Sequence, residues 1–463
     1  MPRLLPALAV TLGLLAGSVT NLQAMTFEPY TVTSPKPDFR KIKANGIEKP
    51  VLKMGIIKLT DCVPIVAARE LGYFAEEGLS VSIEVQGNWR LISEGLVSGT
   101  LDACHMLAGQ PIGTSVGYLG QADIIVPVSL DLNGNAITVS NAVWASMQAI
   151  EPRLKEANHA HPISAAPLKA IAAERAAAGK PLKFGMVFPV SCHNYELRYW
   201  LAAGGVHPGF YKGLDDPTGT ADAEILLSVT PPPQMPQTMA QGTIDGYCVG
   251  EPWNQQAVKL GIGVPVAIDH YIWKYNPEKV LGVTRAFADK NPNTVIAMTK
   301  AIIRAGMWLD ASKENRKKAV EMLANPAYIG AEPEVMAASM LGTFEFQKGD
   351  VREVPDYNVF YKHDATYPFP SHAVWYLTQM RRWGQLPEAK PDSWYLEQAE
   401  RIYQPKIYRA AFAALQAEGK LPADAALPSS DYPLVPGADF IDGIPFDPSK
   451  PNAYLAQFSI GLK

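Results

Sequence analysis

Apolar and polar positions along the chain follow two rhythms that alternate in a fixed order. After a polar, Pro-containing lead, residues 52–57 form a short apolar run of strand length, and 64–71 start a helical pattern. Gly72 and the Glu76-Glu77-Gly78 step mark its end. Residues 81–85 alternate as a strand, 91–97 are helical, and 99–103 open another strand. The same order then returns. Residues 183–188 predict a strand, 195–203 a helix closed by Gly204 and Gly205, 224–229 a strand, 234–240 a helix, and 242–246 a strand.

The two passages match in detail. SGTLDA at 98–103 corresponds to QGTIDG at 241–246, at the same step of the same element order. Cys62 and Cys192 follow the first strands, and Cys104 and Cys248 fall in the last. Two copies of one α/β unit, each giving a mostly parallel sheet, are therefore expected. Between them, the Ala-rich residues 157–179 read as a helical connector. Helices are expected at 293–309, 316–323 and 371–383, and the Pro-rich end, 421–463, is expected to wrap the surface.

Residues 1–24 differ from the rest: one charge, Arg3, then an apolar run and a polar edge at Leu22-Gln23-Ala24. This is the pattern of a secretory signal peptide, and the run is too short for a spanning helix. With no Cys at that edge and no Arg-Arg pair, a soluble, exported, periplasmic protein without a lipid anchor is expected. The expected division is a leader at 1–24, a first lobe at 25–140, a second at 141–255, a return to the first with a helical segment at 256–385, and a wrapping extension at 386–463.

Composition narrows the function. The 463 residues carry a formal charge of −4, and the longest basic run is Arg316-Lys317-Lys318, so a nucleic-acid binder is excluded. The scattered cysteines form no CxxC or other metal-ligand cluster, and no metal or cofactor is expected. They are either buried thiols or, from their matched positions, the pairs Cys62–Cys104 and Cys192–Cys248. There is no Gly-x-Ser-x-Gly, His-Glu-x-x-His or phosphate loop, so an enzyme is not expected. Two facing α/β lobes predict a ligand held in the cleft between them.

Seven stretches carry a resemblance: LTDCVP at 59–64, NGNAITVSN at 133–141, ELRYWLAAGG at 196–205, PPPQM at 231–235, CVGEPWN at 248–254, IWKYNPEK at 272–279 and YPFPSHAVW at 367–375. Together they resemble the nitrate/bicarbonate branch of ABC-transporter solute-binding proteins. The resemblance implies the periplasmic-binding-protein type II fold, two lobes around a central cleft, with a C-terminal extension. It also implies a monomeric receptor that captures nitrate, with nitrite as a second candidate ligand, and hands it to an inner-membrane permease. The alternatives are a bicarbonate receptor of the same family, or a nitrate-responsive sensor acting on a regulatory partner.

By the same resemblance the anion is held by Trp89, His193, Lys274 and Asn135, the last a departure that keeps the amide where the family has Gln; Thr60 and Gln110 are read beside them as further donors. The bicarbonate branch carries an acidic residue at the Lys position and uses calcium, so a Lys there favours nitrate. The chemistry fits a flat oxyanion that only accepts hydrogen bonds. A Lys offers three donors and a charge, the indole N–H of Trp only donates, Asn donates through its amide, and His adds a second charge if protonated.

Overall fold

The computed structural model describes residues 25–118 and 120–462; the expected signal peptide lies outside the described residues. The first repeat supplies β1 (Val51–Ile56), β2 (Ser80–Val85) and β3 (Ala103–Leu107). A long β4 (Ile124–Asn133) runs through Gly134 into β5 (Asn135–Ser140). The second repeat supplies β6 (Lys183–Met186), β7 (Leu226–Val229) and β8 (Gly246–Gly250). β9 (Gly263–Ile268) and β10 (Pro277–Thr284) follow, then the hairpin of β11 (Thr343–Gln347) with β12 (Asp350–Glu353), and the short β13 (Asn358–Val359).

These strands build two sheets, one per lobe. The first has the order β13-β4-β10-β3-β1-β2 and the second β7-β6-β8-β5-β9. The repeat is real: in each lobe the three strands of the unit are parallel, with the first in the middle, as β2-β1-β3 and as β7-β6-β8. The expectation of mostly parallel sheets needs correction. β10 pairs antiparallel with both β3 and β4, and β5 pairs antiparallel with both β8 and β9. β4 is buried at every position, so its sequence lacks the alternation that marks a half-exposed strand. The second sheet draws its strands from 135 to 268, a wider span than the expected 141–255.

The chain crosses between lobes twice in this region, once at Gly134 and once between β9 and β10. The crossings are bolted together. Asp269 accepts from the Gly134 N–H (3.2 Å) and the Asn135 N–H (3.0 Å), while Asn133 Oδ1 accepts from the Asn276 N–H and side-chain amide at 3.2 and 3.1 Å. Gly134 has φ +112°, and a Cβ there would lie 2.1 Å from Asn358 Nδ2, so only glycine fits the crossing. Residues 439–441 strap the second crossing from outside: Lys274 N–H donates to Asp439 O (2.8 Å), Ile441 N–H donates to Ile272 O (2.9 Å), and the Phe440 ring stacks on Trp273 at 5.2 Å.

One hydrophobic cluster spans the two lobes and takes in the helix Pro370–Arg382, while a second lies under the first sheet against the helix Pro292–Ala311. All four cysteines are free and buried. Cys62 belongs to the second cluster and Cys104 to the first, so these two thiols pack into different layers and cannot pair. The pairing of Cys192 with Cys248 is likewise not made. No described helix is long and apolar enough to cross a membrane.

The lobes touch closely where the helix Gly109–Ser115 of the first meets the loop before the helix Cys192–Ala203 of the second. A Cβ on Gly109 would sit 2.0 Å from the Val190 carbonyl oxygen and 3.0 Å from the Tyr376 ring. Gly109→Ala is therefore expected to cost about 1–3 kcal/mol of packing and to hold the lobes apart. Small-angle scattering should report a larger radius of gyration; an unchanged radius with unchanged unfolding would show that the helix simply shifts.

Candidate functional site

The helix Trp89–Val97 is capped by Asn88, whose side chain accepts from the N–H groups of Arg90 and Leu91, each at 3.0 Å. The cap places Trp89 on the first helical turn, facing the interlobe junction. Gln110 fixes it there by donating from its amide to the Trp89 carbonyl and to Ser93 Oγ, both at 2.9 Å. The Trp89 indole N–H is buried without a hydrogen-bond partner. From the other lobe, Ser191 caps the helix Cys192–Ala203 and sets Cys192 and His193 on its first turn. The positive end of that helix therefore faces the same junction. Asn135, first residue of β5, completes the approach.

The lysine that arrives here is not Lys274. That side chain is exposed, on the crossing loop, with its ammonium 5.1 Å from the Tyr275 ring. Lys279 is the residue delivered, from β10, and it is fully buried. Its ammonium lies 2.7 Å from Asp61 Oδ2, pairs with Glu278, and sits 5.6 Å from the centre of the Trp89 ring. Two adjacent charged residues point into one pocket because β10 is bulged. Its register against β4 shifts between Pro277 and Lys279 and again before Val280, which suspends the strict alternation of a strand. Both lysines lie in the same stretch, IWKYNPEK. The available signal was Glu278-Lys279 heading the apolar run Val-Leu-Gly-Val, where charge has no structural reason to be.

The remaining walls are polar and sealed. His105 Nδ1 accepts from the Ile57 N–H (3.3 Å), which puts its proton on Nε2, 2.8 Å from Asp61 Oδ1. His193 Nε2 lies 3.1 Å from Glu278 Oε1, and His193 Nδ1 lies 3.2 Å from Cys192 Sγ. Asn135 donates to Glu196 (3.2 Å), leaving its own carbonyl oxygen unpartnered. Thr60 is turned to Glu251: its N–H donates to the Glu251 carbonyl at 2.8 Å, across the lobe junction. Of the expected residues, then, Trp89, Asn135 and His193 converge, Thr60 and Gln110 support the walls, and Lys279 takes the place foreseen for Lys274. Sequence reasoning passed over Asp61, Glu196 and Glu278, although each lies inside a quoted stretch, and His105, which lies in none; nothing in the sequence shows that the four meet.

Burial dominates the electrostatics. It pushes the carboxyls of Asp131 and Glu196 well above their ordinary range, aided by neighbouring acids. Burial also acts to raise Glu278, but the Lys279 ammonium and His193 overcome it and hold this carboxyl below its usual range. Burial would lower Lys279, yet Asp61 and Glu278 hold it well above the ordinary lysine value. His193 is lowered by burial even beside Glu278, so its imidazole is neutral, not the second positive charge that protonation would supply. The Lys279 ammonium thus sits between the carboxyl groups of Asp61 and Glu278. Cys192, His193 and Glu278 also offer donor atoms within 4.8 Å of one another.

A mouth of about 300 Å³ leads to Trp89 from the surface, lined by Asn88, Arg90 and Tyr118 on one side and by Val187, Phe188 and Pro231 on the other. Of the triple proline at 231–233, Pro231 lines this wall.

Two α/β lobes meeting over a buried cluster of polar side chains are the architecture of a solute-binding protein of the periplasmic type II class. The chain belongs to the NMT1-like family, which it matches over residues 45–324. It is 30% identical to the nitrate/nitrite binding protein NrtA of Nostoc sp. over 445 residues, covering 94% of this chain and 92% of the relative. The nitrate import ATP-binding protein NrtC of Synechocystis sp. is 33% identical over 428 residues, 90% of this chain; the matching part spans 56% of that relative's length. Among solved structures, the periplasmic nitrate-binding protein NrtA from Synechocystis superimposes with a TM-score of 0.77 at 28% identity, covering 89% of this chain and 100% of that one.

Glu251 allows a test of how the lobe junction is built. It is fully buried, accepts from Tyr357 Oη (3.0 Å) and the Gln255 N–H (3.1 Å), and burial raises its pKa from 4.5 to about 7. A carboxyl with a higher pKa in the folded state binds its proton more tightly there. Its stabilising effect is full below about pH 4.5 and is lost as pH rises through about 7. Glu251→Gln, neutral at every pH, is expected to be more stable than the parent at pH 8, by up to about 3 kcal/mol, and no more stable at pH 4. Urea unfolding at the two pH values checks this.

Proposed function

We propose that this protein is a periplasmic receptor that closes its lobes over nitrate and delivers it to an ABC permease in the inner membrane. The observation that carries the reading is the convergence, in one sealed pocket, of an unpartnered indole N–H, an ammonium and two polar side chains of the facing lobe. Nitrate needs donors on every edge and a positive charge near it in a dry cavity. Trp89 and Lys279 supply donors from one lobe, and Asn135 and His193 line the pocket from the other, so the ion would be gripped only when the lobes are shut. The likeness to nitrate/nitrite binding proteins over nearly the whole chain supports the same reading. The work is capture and release; no bond of the ligand is broken.

Bicarbonate is the second reading, favoured by one observation: Glu278 and Asp61 present carboxylate oxygens that nitrate, lacking a proton, cannot use, whereas the O–H of bicarbonate can donate to them.

Titration calorimetry with nitrate, nitrite and bicarbonate in parallel tests both. Nitrate is expected to bind the parent protein, and Lys279→Met to weaken it at least a hundredfold, while Lys274→Ala leaves it unchanged. Full affinity in Lys279→Met, or no heat from nitrate with the parent protein, overturns the assignment. Binding of bicarbonate alone selects the second reading.

A further inference from the structure

The mouth that leads to Trp89 is built from both lobes, and its two halves touch. Tyr118 of the first lobe and Phe188 of the second both line it, and their rings meet edge to face, 5.5 Å between centres and 89° between planes. Both side chains are nearly buried, at 5% and 7% exposure. Each is held from behind. The Tyr118 N–H donates to the Gly113 carbonyl (2.8 Å), which ties it to the end of the helix Gly109–Ser115. That helix rests on the second lobe so closely that a Gly113 Cβ would lie 3.0 Å from the Val190 side chain. Phe188 sits in a braced loop. Its carbonyl accepts from the Ser191 N–H (3.1 Å) and Oγ (2.6 Å), and the Pro189 carbonyl accepts from Asn194 (2.7 Å) and Gln385 (3.1 Å).

The mouth differs chemically from the polar cluster behind it. Apart from Asn88 and Arg90, its lining is aromatic rings, Val and Pro, and Pro has no N–H to offer. The Trp89 ring lies at its inner end, and the Lys279 ammonium is 5.6 Å from the centre of that ring. A bare anion finds no replacement for its hydration in such a passage. It therefore leaves only when the passage widens enough to carry water, and the Tyr118–Phe188 contact must break for that to happen.

We infer that Tyr118 and Phe188 form a clasp between the lobes that sets how long a captured anion stays. The positive edge of one ring against the face of the other is an attraction available only while the lobes are shut. It holds the closed state and adds nothing to the first encounter. Both are positioning residues: they act through lobe closure and not on the anion itself. Neither stands in a stretch that carried the family resemblance, and nothing in the sequence shows that the two meet. The clasp stands on the ring geometry, and its effect on residence time rests on the oxyanion-receptor reading.

Stopped-flow tryptophan fluorescence of the full-length protein with nitrate tests the residence time. Tyr118→Ala and Phe188→Ala are each expected to release nitrate about tenfold faster than the parent, with association rates within about twofold. The two rings make one contact, so the double variant should release nitrate within about twofold of either single variant. Tyr118→Phe, which keeps the ring edge, should match the parent. Effects that multiply in the double variant, or that fall on association, overturn the clasp. Should Phe188→Ala not fold by circular dichroism, Phe188→Leu takes its place, removing the aromatic face and keeping the bulk. Acrylamide quenching without any anion is read separately. The Trp89 emission is the difference between each protein and its Trp89→Phe counterpart. It should be quenched about twice as strongly in Tyr118→Ala as in the parent, and equally in Tyr118→Phe. If nitrate does not bind the parent while this pattern holds, the receptor reading fails and the clasp stands. Equal quenching in Tyr118→Ala and the parent overturns the clasp, whatever nitrate does.

Discussion

A single ammonium group, buried at the seam of two lobes, imposes conditions on everything around it. Taking a lysine head out of water costs several kcal/mol unless partners replace its hydration. Lys279 meets that requirement with Asp61 and Glu278. Those carboxylates in turn need partners, and His105 and His193 stand against them. The chain therefore had to bring together residues from a turn, two strands and a helix start, on both sides of a junction. The bulge in β10, the glycine at the crossing and the capped helix starts all serve that convergence.

The two-lobe design was legible because each repeat displays its own period: strands on one sheet face, amphipathic helices between, glycines at the stops. The helix carrying Trp89 and the first two strands of each parallel triplet fall where the pattern put them, while the third strands begin later, at Ala103 and Gly246, after the turns in which the repeated GT-x-D stretches lie. What escaped were β4, β5, β9 and β10. These strands lie wholly inside the molecule, and burial on both faces erases the alternation that identifies a strand. The antiparallel character of both sheet centres was lost with them.

The pocket was half legible for a related reason. Trp89, Asn135 and His193 stood inside long motifs, and each reaches the junction. Lys274 and Lys279 share one motif, and only the bulge, which no spacing rule anticipates, decides which of them turns inward. Glu196 stood inside a quoted motif and Asp131 outside all of them, yet neither showed in the sequence that its carboxyl is buried. Their setting, rather than their identity, pushes both carboxyls above the ordinary range.

The strap at 439–441 has a consequence beyond its own few contacts. Phe440 stacks on Trp273, the two flanking backbone hydrogen bonds clasp the loop that leads into β10, and that strand begins with the residues at the bottom of the pocket. A proteolytic nick in the surface tail would thus slacken the floor of a chamber it never touches. Tail and chamber form one mechanical unit, although more than 150 residues of chain separate them.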